Sequence, residues 1–130
     1  MIAVDTNVLA RFLTNDDPAQ AARALKLMKR GEICIPKTVL LELEWVLRGG
    51  YKFDRQAILK AVEDLLGLPN VSAEDSVEVT EALKWYKAGL DFADALHLSS
   101  SAAAAPRFAT FDGKLAKRAK SLAGIDIRMI

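Results

Sequence analysis

Residues 1–13 read MIAVDTNVLARFL, and the reading of Asp5-Thr6-Asn7 inside them decides the fold. Ile2-Ala3-Val4 is an unbroken apolar run into the core, read as a short opening strand, whereas Val8, Leu9, Phe12 and Leu13 recur at helical spacing. A polar cluster where one period gives way to the other is a strand-to-helix turn. On local grounds Asp5 has two open readings: the N-cap of the helix, or one wall of an acidic site.

The same step recurs along the chain. Asp17-Pro18-Ala19-Gln20 has the cap, first-turn proline and capping-box spacing of a helix start, predicting a helix to about Arg30 with Gly31 as its stop. Ile33-Cys34-Ile35 is a buried-type strand closed by Pro36, followed by a helix over Thr38–Arg48 that ends at Gly49-Gly50. Asp54 opens a helix to Leu66, Val71 lies in a short strand, and Ser76–Lys87 is helical. Asp91–Ala104 is an alanine-rich helix stopped by Pro106. Arg107–Thr110 is a strand, Lys114–Ser121 a helix and Ile125–Met129 a terminal strand. Short strands alternating with helices predict an α/β three-layer sandwich around a short, mainly parallel central sheet of about five strands, joined by right-handed crossovers.

The totals limit what this fold can carry. At 130 residues the chain is sized for one domain, expected to run over 1–130, and 52% apolar with 27% charged residues suits a globular protein. Eighteen basic and seventeen acidic side chains leave +1, so a nucleic-acid partner must be sought in local clusters, not in net charge. Cys34 and His97 are single, which excludes an internal disulfide and a Cys/His zinc site. The short apolar opening resembles neither a leader peptide nor a span of about 20 apolar residues, so a cytoplasmic protein with no membrane role is expected.

In parallel sheets ligands gather beyond the carboxyl ends of the strands. Asp5 follows one such end and Asp112 follows another, each with capping as its plain alternative. On the Thr38–Arg48 helix, a step of about 100° per residue sets Glu42 along the side of Val39 and Leu43, toward the core. Glu44 falls four residues before Arg48 on the polar side and is read as solvated surface in an exposed ion pair. Asp91 and Asp94 share a helix face near its N-terminus, where the helix dipole also favours anions. His97, one turn on, is read as an ordinary packed or surface residue. Gathered carboxylates repel one another unless a cation offsets them, and a set of oxygens without thiol or imidazole selects Mg²⁺ or Mn²⁺. Such an ion can generate hydroxide and stabilise charge on a phosphoryl group, which is phosphodiester hydrolysis.

VDTNVLARFL, LLELEWVL, DFADALHL and ATFDGKL, in this order and at these spacings, resemble the PIN-domain ribonucleases, in particular the VapC toxins of type II toxin-antitoxin pairs. The resemblance covers nearly the whole chain. It implies that Asp5, Glu42, Asp94 and Asp112 hold the metal and carry catalysis, with Asn7 and Thr110 in polar supporting positions. Asp91 matches an acid of this subgroup, not of the whole family. The family further implies a Mg²⁺- or Mn²⁺-dependent endoribonuclease, a homodimer and a cognate antitoxin.

Two other readings compete with this one. A receiver-like Mg²⁺-binding signalling domain wants paired acids after its first strand and a phosphoacceptor Asp after a central one, and here Ile33-Cys34-Ile35 runs into Pro36. A noncatalytic PIN-like module that binds RNA or protein is opposed by the presence of all four acids. Of the cluster KLAKRAK, Lys114, Lys117 and Arg118 are candidates for RNA phosphate contacts, with Lys120 beside them, and a solvated helix face is the alternative. Trp45, Trp85 and Tyr86 are expected mostly in the core, with some exposed for association.

Overall fold

Ile33 pairs with Ile2 on one side and Val71 on the other, and that register sets out the first sheet. The computed structural model describes residues 1–122 and 125–130. The chain divides into two compact units, Met1–Asp75 and Ser76–Ile130.

The first unit runs β1 (Ile2–Ala3), α1 (Thr6–Thr14), α2 (Pro18–Met28), β2 (Ile33–Ile35), α3 (Lys37–Gly49), α4 (Arg55–Leu66) and β3 (Val71–Ala73). Its strands pair parallel in the order β1-β2-β3. Ile33, Ile35, Leu9, Leu40, Leu43, Leu47, Ile58 and Leu65 are fully buried, so β2, α1, α3 and α4 supply the core of this unit, whereas Ile2 and Ala3 of β1 are exposed. Helix starts are fixed locally: Asp5, Asp17 and Asp54 accept from the amides of Val8, Gln20 and Ala57 at 3.1, 3.1 and 2.8 Å. Asn70 holds the α2–β2 turn, donating to the carbonyls of Met28 and Gly31 at 2.7 Å each.

The second unit runs α5 (Ser76–Lys87), α6 (Phe92–Ala104), β4 (Arg107–Thr110), α7 (Gly113–Leu122) and β5 (Asp126–Met129). The strands pair parallel from Arg107 with Asp126 to Thr110 with Met129. α5 packs on α6 through Tyr86 and Phe92, whose rings meet edge to face at 5.3 Å. The turn between them depends on Gly89, at φ +112°, where a side chain would also press on the Arg118 guanidinium.

The predicted alternation of strand and helix is borne out, with ends moved by one or two residues where caps set them. All strand pairs are parallel, and the five strands among the described residues lie as a sheet of three and a sheet of two. No helix among the described residues is long and apolar enough to cross a membrane.

Candidate functional site

In the first unit, Val4 ends the ladder by donating to the Cys34 carbonyl at 3.2 Å, and the chain turns at once into α1. Asp5 sits at that turn and caps the helix through Val8, so the capping reading of this residue is realised. Thr6 is buried, and its hydroxyl donates to the Glu42 carboxylate from α3, 36 residues away in sequence. This bond gives Glu42 a fixed partner although the residue itself is exposed. Asn7 is exposed and, with Asp5, lines an open cavity of about 360 Å³.

The assignment of faces on α3 needs correction. Glu44, expected on the surface, is only 4% exposed, whereas Glu42, expected toward the core, is exposed. The buried stripe is Leu40, Leu43, Glu44 and Leu47, an i, i+3, i+4, i+7 pattern centred away from Val39 and Val46. Inside, Glu44 is paired with Arg48, which donates to both its oxygens at 2.9 and 3.3 Å. Trp45, next to it, is turned outward at 64% exposure, while Trp85 and Tyr86 are buried.

The cavity beside Asp5 brings in residues that sequence reasoning missed: Arg11 from α1, and Gln20 and Arg23 from α2. Arg11 is clamped. Its Nε donates to Gln20 at 2.7 Å, and one terminal nitrogen reaches both Asp16 oxygens at 3.2 Å and the Tyr51 hydroxyl at 3.0 Å. Tyr51 in turn donates to Asp16 at 2.6 Å, and this bond is the main reason the Asp16 carboxyl lies below the usual range. The only sequence-level hint is the helical spacing of Asn7 with Arg11 and of Gln20 with Arg23.

In the second unit, Asp91 caps α6, accepting from the Asp94 amide at 3.2 Å. Asp112 caps α7 through the amides of Lys114 and Leu115 at 3.0 and 3.1 Å, and its own amide donates to Thr110 Oγ1 at 3.0 Å. Thr110 thus holds the turn that presents Asp112. Burial pushes the Asp94 carboxyl above its ordinary value, the charges of Asp91 and Asp112 add to this, and His97 opposes it. Among the described residues none of these three acids takes part in an ion pair. Nor, among the described residues, do three Asp, Glu, His or Cys side chains come together closely enough to hold a metal ion. The donor chemistry fits a hard divalent cation, since it consists of carboxylate oxygens with no thiolate.

Lys114, Lys117 and Arg118 are exposed on α7, but Arg118 is committed to the Gly89 carbonyl, tying α7 to the α5–α6 turn. Phe111, between Thr110 and Asp112, is 79% exposed.

The PIN domain family model matches residues 2–121. A VapC ribonuclease of Aquifex aeolicus (strain VF5) is 31% identical over 90 residues, which cover 66% of this chain and 67% of that protein. The match over almost the full length and this relative bear out the resemblance read from the sequence: the chain belongs to the PIN-domain family and is of the VapC type.

Proposed function

We propose that this chain is a Mg²⁺- or Mn²⁺-dependent endoribonuclease that hydrolyses RNA phosphodiester bonds, the toxin of a type II toxin-antitoxin pair. The observation that carries the reading is the PIN-domain match over residues 2–121 with similarity to a VapC ribonuclease, in a chain whose half-buried Asp94 also feels the charges of Asp91 and Asp112. Asp5, Glu42, Asp94 and Asp112 are the metal-ligating acids of this reading, with Asp91 as a further candidate. An ion held by these acids would supply Lewis acidity toward a phosphodiester and make water more acidic near neutral pH.

The chain's own groups do the positioning. Thr6 holds one oxygen of Glu42 and leaves the other to a ligand, and Thr110 fixes the backbone at Asp112. Asp91 fixes the first turn of α6 beneath Asp94. Lys114 and Lys117 are the α7 side chains offered to RNA phosphates, and Arg118 contributes less because it is held by Gly89.

Residues 1–130 act in this reading as a single PIN-like domain, supported by a family match that runs through both units. A homodimer in the cytoplasm, restrained by an antitoxin, completes it, and exposed Trp45 offers apolar surface for such association. The test is cleavage of a mixed RNA pool by the pure protein with Mn²⁺ and with EDTA. Cutting only with the ion is the expected result, and an inert protein in every divalent metal overturns the reading. Light scattering at micromolar concentration tests the dimer, which a monomer's mass would exclude.

A further inference from the structure

Arg23 lines the cavity beside Asp5, is exposed, and among the described residues has no hydrogen-bond or ion-pair partner. Across the same cavity, Arg11 is held by Gln20, Asp16 and Tyr51 through Nε and one terminal nitrogen. A guanidinium carries five N–H donors in a planar fork, so the second terminal nitrogen of Arg11 keeps two donors with no acceptor among the described residues. One guanidinium is therefore pre-oriented by its neighbours and the other is unengaged, in a cavity that also contains Asp5.

We propose that this cavity is a phosphate subsite for single-stranded RNA, in which Arg11 and Arg23 donate to the non-bridging oxygens of a phosphodiester close to Asp5. The inference rests on the ribonuclease reading and extends it by naming where the substrate backbone is held. Phosphate is favoured over a base because the cavity offers two guanidinium forks and has no aromatic ring in its lining for a base to stack on. Arg11 and Arg23 are balanced by Asp16 and Asp5, so recognition comes from directed N–H donors and not from a net positive field. Free inorganic phosphate should accordingly bind poorly, whereas RNA anchored at other points places its phosphate against both arginines.

The test is fluorescence anisotropy with a 2′-O-methyl octanucleotide in EDTA, across a salt series, for the wild type, Arg23→Gln, Arg23→Lys and Lys26→Gln. Lys26 lies on the same helix and outside the cavity lining, and controls for loss of a charge. Arg23→Gln should weaken binding about tenfold and flatten the slope of log K against log salt by about 0.7. Arg23→Lys, which keeps the charge but not the fork, should fall between, and Lys26→Gln should stay close to the wild type. Equal affinities for Arg23→Gln and the wild type, or equal losses for Arg23→Gln and Lys26→Gln, overturn the subsite while leaving the ribonuclease reading standing if the wild type still cuts RNA with Mn²⁺. A wild type that neither binds the oligonucleotide nor cuts RNA overturns both.

Discussion

The two units treat their candidate acids in opposite ways. In Met1–Asp75, Asp5 is satisfied by a backbone amide, Glu42 by a threonine hydroxyl, and basic side chains line the cavity next to Asp5. In Ser76–Ile130, the half-buried Asp94 holds its proton more tightly than an ordinary carboxyl, first because of its burial and then because of the charges of Asp91 and Asp112. The same functional group thus has a fixed hydrogen-bond partner in one unit and, at Asp94, an ionised form disfavoured by burial and by neighbouring charge in the other.

The largest expected effect comes from removing the charge at Asp94. Asp94→Asn should lower Mn²⁺-dependent RNA cleavage by roughly a hundredfold or more. Without the ion the same variant should be as stable as the wild type or more so. The sign follows from the raised carboxyl: its ionised form is disfavoured by folding, so its penalty is absent below the ordinary carboxylate range and grows as pH rises through the raised value. Thermal unfolding in EDTA and in Mn²⁺ checks this. At a hundredfold over Kd the ion should stabilise the wild type by about 2.7 kcal/mol and the variant far less. Equal gains in both proteins would remove Asp94 from the ligand set.

Two neighbouring glutamates on α3 give the next contrast. Arg48→Ala should destabilise by about 1–3 kcal/mol in urea unfolding, because it takes a bidentate partner from buried Glu44. Glu44→Met extends the apolar stripe and should be neutral or stabilising, with cleavage unchanged. Glu42→Gln should do the reverse, abolishing cleavage while leaving the unfolding midpoint near the wild type. Loss of activity in Glu44→Met with an intact fold would show that the two roles have been assigned to the wrong residues.

A smaller effect separates capping from ligation at Asp112. Asparagine caps as well as aspartate, so Asp112→Asn should keep stability and lose cleavage, whereas Asp112→Ala should lose cleavage and about 1 kcal/mol of stability. Asp54→Ala, a cap in Met1–Asp75 outside the candidate acids, should cost a similar amount and leave cleavage intact. The smallest effect is at Asp16, whose lowered carboxyl contributes stability above the ordinary carboxylate range that is lost as pH falls through the lowered value. Tyr51→Phe removes the main cause, and should flatten the acid limb of the melting-temperature profile measured against pH.

Much of this molecule was legible in the sequence because it is decided within one turn of chain. Asp5, Asp17 and Asp54 cap helices through amides three residues on, and the change from a strand's period to a helix's is visible where Val4 gives way to Val8. The candidate acids could likewise be named, from the motifs that resemble the PIN-domain ribonucleases. What the sequence left open depends on partners far along the chain. Whether Glu42 or Glu44 goes inside depends on which side of α3 the rest of the core covers, and a rotation of that stripe by one residue exchanges them. The clamp on Arg11 joins α1 to Tyr51, 40 residues later, and Arg118 reaches back 29 residues to Gly89. Local periodicity carries no information about such pairs, because their positions are set only when the helices that bear them pack, and so tertiary structure alone decided which basic groups were tied and which, like Arg23, have no partner among the described residues.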